Sequence, residues 1–183
     1  NVESEPELHQ LSDVAAKLGE TANITFRVNP DVDAKTHAKI STGKSDNKFG
    51  VPWKSVRELC ADAAKLPGIK LVGLDLHIGS QITELNPFEA AFTRIRSLIE
   101  TLRLDGHDIT RVDLGGGLGI SYEGDDFPPL PHDYAEMVKR VMRDLNCQIR
   151  IEPGRFLVGN AGILVSKVVY IKKGEERKFL IID

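Results

Sequence analysis

Four strand-like runs, at residues 24–28, 69–77, 109–114 and 148–152, each close on their carboxyl side in polar or glycine-rich residues, and a helical stretch separates each run from the next. Arg27 and Asn29 end the first; His77, Gly79 and Ser80 the second; Gly115, Gly116 and Gly117 the third; Glu152, Gly154 and Arg155 the fourth. Strands that alternate with helices at a spacing of roughly 40 residues build βα units on a parallel sheet. In a closed barrel every carboxyl end lies on one rim, where sites are assembled from several strands. A doubly wound sheet uses the same edge but concentrates its ligand at one crevice. Four decorated ends in succession favour the barrel, so the expected class is α/β, part of a (β/α)8 TIM barrel.

The helical stretches carry apolar stripes that would cover such a sheet. Leu8, Leu11, Val14, Ala15 and Leu18 share one face, with Gly19 as the stop. Pro52 opens a second helix through Val56, Leu59, Cys60, Ala63 and Leu66, ended by Pro67-Gly68. A third begins near Asn86-Pro87 with Phe88, Phe92, Ile95, Leu98 and Leu102 inward and stops at Gly106; a fourth covers 132–145 with Tyr134, Val138, Val141 and Leu145 inward. After Arg155 the pattern changes to alternation at Ile163, Val165, Lys167, Val169 and Ile171, a turn at Lys173-Gly174-Glu175, and a last strand at 178–183. This is hairpin grammar, and it divides the chain into a barrel portion, 1–158, and the start of a β-rich domain, 159–183. A strand running off the chain end leaves an edge in want of a partner, as in a piece of a larger protein.

The bulk numbers exclude several classes. With 183 residues, 41% hydrophobic and 28% charged, and a net charge of −3, the chain reads as globular and gives no reason to expect nucleic acid. Cys60 and Cys147 are far apart and lack a metal-ligand spacing. No apolar run of about 18 residues suggests a membrane span, and the acidic start at 1–6 is unlike a signal peptide. The expected partner is a small molecule, the expected location the cytoplasm, and no metal is expected.

Three rim groups carry the chemistry. Gly115, Gly116 and Gly117 stand where missing β-carbons let backbone N–H groups approach a phosphate, though a tight turn needing positive φ explains a triplet equally well. The dinucleotide spacing Gly-x-Gly-x-x-Gly is not met from Gly115, because position 120 is Ile. His77 in Leu76-His77-Ile78-Gly79-Ser80-Gln81 suits stacking on an aromatic ring beside a hydroxyl-bearing turn; a histidine there can also simply bond a neighbour. Glu152-Pro153-Gly154-Arg155 offers either a salt-bridged turn or a carboxylate facing a ring nitrogen, with a guanidinium free for a substrate carboxylate.

Taken together, Asn1-Val2-Glu3-Ser4, Arg27-Val28-Asn29-Pro30, Lys48-Phe49-Gly50, His77-Ile78-Gly79-Ser80-Gln81, Gly115 to Gly119 and Glu152-Pro153-Gly154-Arg155 resemble, in order and over nearly the whole chain, the fold-type III pyridoxal-phosphate decarboxylases, and within them the branch acting on diaminopimelate. The resemblance implies an alanine-racemase-like barrel, represented here from part of strand four through strand eight, and pyridoxal 5'-phosphate as cofactor. By the same resemblance His77 stacks on the pyridine ring, and Ser80 with the amides of Gly115, Gly116 and Gly117 holds the phosphate. Glu152 faces the ring nitrogen, where a carboxylate favours the protonated ring as an electron sink when carbon dioxide departs. Pro153, Gly154 and Arg155 border the cofactor, Arg155 also binding a substrate carboxylate. Racemases of this fold resemble the chain less, since they place a cation where Glu152 stands. Residues 41–50 resemble the family's active-site loop, with Lys44 and Lys48 as loop charges.

The implied activity is conversion of meso-2,6-diaminopimelate to L-lysine and carbon dioxide, in lysine biosynthesis, by a homodimer. The family's Schiff-base lysine, in an Ala-Lys-Ala-Asn-like context, has no counterpart in this sequence, nor has the later Cys-Glu-Ser-Gly-Asp-like segment or the tyrosine supplied across the dimer. The piece by itself is therefore expected to be inactive. Alternatives are an ornithine, arginine or lysine decarboxylase, which often carry a histidine-valine-glycine-serine variant, a non-catalytic cofactor-binding fragment, or a phosphate-binding barrel unrelated to amino acids.

Overall fold

The computed structural model describes residues 1–32, 48–122 and 127–183. Lys44 and most of the loop expected at 41–50 lie outside them.

A parallel sheet of five strands, in the order β2-β1-β3-β4-β5, organises the chain. Its strands are β1 (Ala22–Asn29), the short β2 (Val51–Pro52), β3 (Ile69–Asp75), β4 (Arg111–Asp113) and β5 (Gln148–Arg150). Helices α1 (Glu5–Leu18), α2 (Val56–Ala63), α3 (Asn86–Leu104) and α4 (Pro131–Val141) make the crossovers, and a single 3-10 turn, Trp53–Ser55, leads into α2. Val2 adds a parallel bridge to Phe26 on the β2 side of β1. The α/β class and parallel barrel-type sheet expected from the alternation are what the structure contains.

Side chains in a strand alternate between faces, so each strand contributes one row to each side of the sheet. Ile24, Phe26 and Val28 of β1, Leu74 of β3 with Leu76 and Ile78 beyond it, and Val112 of β4 with Leu114 beyond it are buried in one cluster with the helix stripes. Phe88 and Phe92 of α3 meet Tyr134 of α4 edge-on, with ring centroids 5.3 and 6.1 Å apart. Two arginines of α3 hold the chain that follows α4. Arg96 Nη1 donates to the carbonyls of Val141 and Arg143 at 2.7 and 2.6 Å, and Arg103 donates to Ile109 O and Leu145 O.

The other face of the sheet is polar. Register pairs Thr25 with Gly73, Gly73 with Arg111 and Arg111 with Gln148; one step further along, Arg27 pairs with Asp75, Asp75 with Asp113 and Asp113 with Arg150. The second row thus places two acids side by side on neighbouring strands, with an arginine on the strand to either side. Both acids are buried, Asp75 to 3% exposure and Asp113 to 7%.

Several boundaries differ from those the periodicity suggests. α4 stops at Val141 because Asp144 and Asn146 take left-handed backbone angles, φ 61° and 52°, which an α-helix cannot continue through. The turn expected at 153–155 is the start of a five-residue helix, α5 (Gly154–Val158). β6 (Val168–Lys173) pairs antiparallel with β7 (Lys178–Ile182) in a separate two-stranded sheet closed by Gly174 N–H to Arg177 O at 2.8 Å. Strand structure begins at Val168, opposite Ile182; Ile163, Leu164 and Val165 are 80–93% exposed and lie ahead of the pairing. Among the described residues no helix is long and apolar enough to cross a membrane.

Phe92 is fully buried at the junction of α3, α4 and the sheet. Phe92→Ala is expected to lower unfolding free energy by about 3–5 kcal/mol in denaturant titration; a loss under about 1 kcal/mol would mean that this junction is not part of the core.

Candidate active site

Beyond Asp75, β3 runs into a loop that carries His77, Gly79, Ser80 and Gln81, and beyond Asp113, β4 runs into the glycines 115–117. The two loops are stitched together. Ile82 N–H donates to Gly117 O at 2.9 Å and Gly119 N–H to Ile82 O at 3.0 Å. The Gln81 amide bonds both backbone groups of Ile120, donating to its carbonyl at 2.5 Å and accepting from its N–H at 3.2 Å. The third loop joins through Glu152 N–H to Gly115 O at 2.7 Å.

This crowding makes the glycines obligatory. A β-carbon on Gly115 would stand 2.1 Å from Leu76 O, one on Gly116 2.2 Å from Glu152 O, and one on Gly117 2.3 Å from Gly79 O. Gly115 and Gly117 also have left-handed φ of 65° and 102°. The tight-turn reading of the triplet is therefore correct in its own right. It coexists with a donor array that is partly engaged: Gly115 N–H donates to Asp113 Oδ1 at 3.0 Å, and Gly116 N–H to His77 Nδ1 at 3.3 Å. Gly117 N–H has no intrachain acceptor among the described residues.

The bond from Gly116 fixes His77 as an acceptor at Nδ1, which places the ring proton on Nε2. Burial, and then the nearby Arg27 guanidinium, hold this imidazole below its ordinary pKa, so the ring is neutral at neutral pH. His77 and Glu152 line a common cavity of about 460 Å³ with Asn1, Glu3, Arg27, Phe49 and Asp75. Opposite His77, Glu3 accepts from Arg27 Nη1 at 2.8 Å and from Gly50 N–H at 2.9 Å. Burial opposes ionisation of Glu3, but these two donors outweigh it and hold its carboxyl below the usual range. Phe49 lies under two cations, Arg27 at 5.1 Å and Lys48 at 4.9 Å from its centroid.

Of the residues singled out in the sequence, His77 and Glu152 line this cavity, and Gly116 is tied to it through its bond to His77 Nδ1. Arg155 stands apart from the cavity on exposed α5, with Nη1 3.4 Å from Gln81 Oε1 and its guanidinium over Tyr122. Gly115, Gly116 and Pro153 border a different, apolar groove of about 410 Å³ on the helix side of β5, with Ile149, Ile151 and Leu157; Ser80 is half-buried in the loop between His77 and Gln81. Sequence reasoning misses Asp75, which lines the cavity, and Asp113, its register partner on β4. Their carboxylates and that of Glu152 have oxygens within 4.8 Å of one another. The signal was present in the alternation Gly73-Leu74-Asp75-Leu76-His77, where every second residue departs from the apolar row.

Residues 1–159 match the family described as pyridoxal-dependent decarboxylase, pyridoxal binding domain, and the chain belongs to that family. It is 48% identical to a diaminopimelate decarboxylase of Zymomonas mobilis and 49% identical to one of Haemophilus influenzae, in each case over the whole chain and 44% of the relative. The crystal structure of diaminopimelate decarboxylase from Helicobacter pylori complexed with L-lysine superposes with a TM-score of 0.88 at 39% identity, covering all of this chain and 46% of that one. The chain thus spans less than half the length of these relatives.

The described residues fit the cofactor of this family. Pyridoxal 5'-phosphate offers a flat ring, a ring nitrogen and a phosphate. The cavity offers a neutral imidazole face and a carboxylate, and the turn bonded to that imidazole is so close-packed that only bare backbone fits there.

The acids beneath the cavity make stability depend on pH. Burial first, then the charges of Asp113 and Glu152, raise Asp75 from 3.8 to about 7. Folding therefore favours its un-ionised form, and its contribution to stability is lost as pH rises from the ordinary carboxyl range through about 7. Asp75→Asn should flatten that part of the curve of thermal midpoint against pH; an unchanged curve would show that Asp75 ionises freely in the folded protein.

Proposed function

We propose that the protein to which this chain belongs is a pyridoxal-phosphate-dependent carboxy-lyase that converts meso-2,6-diaminopimelate to L-lysine and carbon dioxide. The observation that carries the reading is that His77 and Glu152 line one cavity and are both bonded to the glycine turn, through Gly116 N–H to His77 Nδ1 and Glu152 N–H to Gly115 O. Support for the substrate comes from the diaminopimelate decarboxylases that match the chain at 44–49% identity. The end of the family match at residue 159 supports assigning 1–158 to the cofactor domain and 159–183 to the start of a second, β-rich unit.

In this reading the cofactor supplies an electron sink for the bond to the departing carboxyl group. The chain's residues bind and orient. His77, neutral and locked through Nδ1 by Gly116, presents a ring face for stacking. Glu152 keeps a proton on the ring nitrogen by charge pairing, which strengthens the sink. With Gly115 and Gly116 amides engaged inside the chain, the phosphate falls to the Gly117 amide and the Ser80 hydroxyl, and Gly115 and Gly116 shape the turn. Gly154 and Arg155 lie outside the cavity at the start of α5, and from there the Arg155 guanidinium is assigned to a substrate carboxylate.

The test is carbon dioxide release by the full-length protein supplied with pyridoxal phosphate and, in separate assays, meso-diaminopimelate, ornithine, arginine or lysine. Diaminopimelate should be preferred, with L-lysine as product; faster turnover of ornithine, arginine or lysine would replace this substrate assignment. Glu152→Gln removes a charged hydrogen bond of about 1.5–3 kcal/mol and should lower kcat about 10- to 100-fold. An unchanged kcat would remove Glu152 from the ring nitrogen.

A further inference from the structure

A buried carboxylate oxygen that faces two other carboxylates is a problem that the fold has to solve. Asp75 is 3% exposed, and its Oδ1 has no hydrogen-bond partner, whereas Oδ2 accepts from Asn1 Nδ2 at 3.0 Å. Within 4.8 Å are the carboxylates of Asp113, its register partner on β4, and Glu152 at the rim. Two ionised oxygens at such a distance repel strongly in a dry site, and neither can donate to the other. Either a cation or a proton must sit among them.

The surroundings favour the proton. Arg27 is the register partner of Asp75 in the same cross-strand row, and its charge and that of the Asn1 amino group already stand near Asp75. Asp113 Oδ1 is taken by Gly115 N–H, and Asp75 Oδ2 by Asn1, which leaves too few open oxygens for a closed cage around a metal ion. The remaining neighbours of Asp75 are the amino group of Asn1 and, two residues along its own strand, the neutral His77. A single proton on Oδ1 converts the orphaned acceptor into a donor aimed at the cluster.

We propose that Asp75 is a positioning residue: held as a carboxylic acid, it donates from Oδ1 to Glu152 and so fixes the carboxylate that faces the cofactor cavity. Glu152 is exposed, and its carboxylate lies within 4.8 Å of that of Asp75. Asp113, which accepts from Gly115 N–H at Oδ1, anchors the pair from below. The preference of Asp75 for its un-ionised form, brought about by burial, Asp113 and Glu152, agrees with this arrangement. The inference rests on the proposed function for the meaning of Glu152, but the proton itself does not depend on any cofactor.

The experiment is infrared spectroscopy of the full-length protein without cofactor at about pH 6, above the ordinary range of every carboxyl group. A carbonyl-stretch band of an un-ionised carboxyl group is expected. It should vanish in Asp75→Asn and shift in Glu152→Gln, whose amide is a different acceptor. As a check that needs no substitution, carbon NMR of carboxyl-labelled aspartate should show one group titrating near neutrality. Absence of the band, its survival in Asp75→Asn, or its indifference to Glu152→Gln would overturn the proposal. Stoichiometric binding of magnesium or manganese ion that Asp75→Asn abolishes would overturn it in favour of a cation site. If the band behaves as expected but the protein fails to bind pyridoxal phosphate, the carboxyl cluster stands and the proposed function falls. If binding depends on Glu152 and the band is absent, the reverse holds.

Discussion

Parallel pairing of β1, β3, β4 and β5 in one register is the constraint on which the rest depends. It brings residues as far apart in sequence as Arg27 and Arg150 into a single cross-strand row, and puts the loops after three strands within backbone hydrogen-bond distance of one another. A slip of one residue in any strand would turn its apolar row away from the helices and its polar row toward them. The hydrophobic effect therefore fixes the register, and the register fixes the site. The glycines belong to the same argument, since a side chain at 115, 116 or 117 would strike the backbone of the neighbouring loop.

The sheet's polar face is costly. Burying Asp75 and Asp113 side by side gives up solvation that the nearby Arg27 recovers only in part, and Asp75 is left with an unsatisfied oxygen. Departures of this kind from good packing mark the places where a protein trades stability for function. Here the departure lies directly below the carboxylate assigned to the cofactor ring, in a family defined by binding pyridoxal.

Much of the architecture was legible in the sequence because it is local. The stripe Phe88, Phe92, Ile95, Leu98 and Leu102 names the buried side of α3, and the decorated strand ends mark the rim. His77, Gly116 and Glu152 could be nominated from their settings. What was not legible is what register creates over distance. Asp75 and Asp113 sit 38 positions apart and hide within runs that read as apolar, so their adjacency follows only once the strands are aligned. The Gly116 to His77 bond, which sets the ring's tautomer, and the displacement of Arg155 from the cavity onto α5 are likewise tertiary facts. The early end of α4 depended on left-handed residues at 144 and 146 that periodicity does not register.

Whether Glu152 truly faces a pyridine nitrogen is the point on which the functional account turns. Nitrogen NMR of pyridoxal phosphate labelled at the ring nitrogen and bound to the full-length protein reads that atom directly. The account predicts a pyridinium-type chemical shift that Glu152→Gln converts to the neutral-pyridine type. A neutral shift in the unaltered protein, or a pyridinium shift untouched by the substitution, would contradict it.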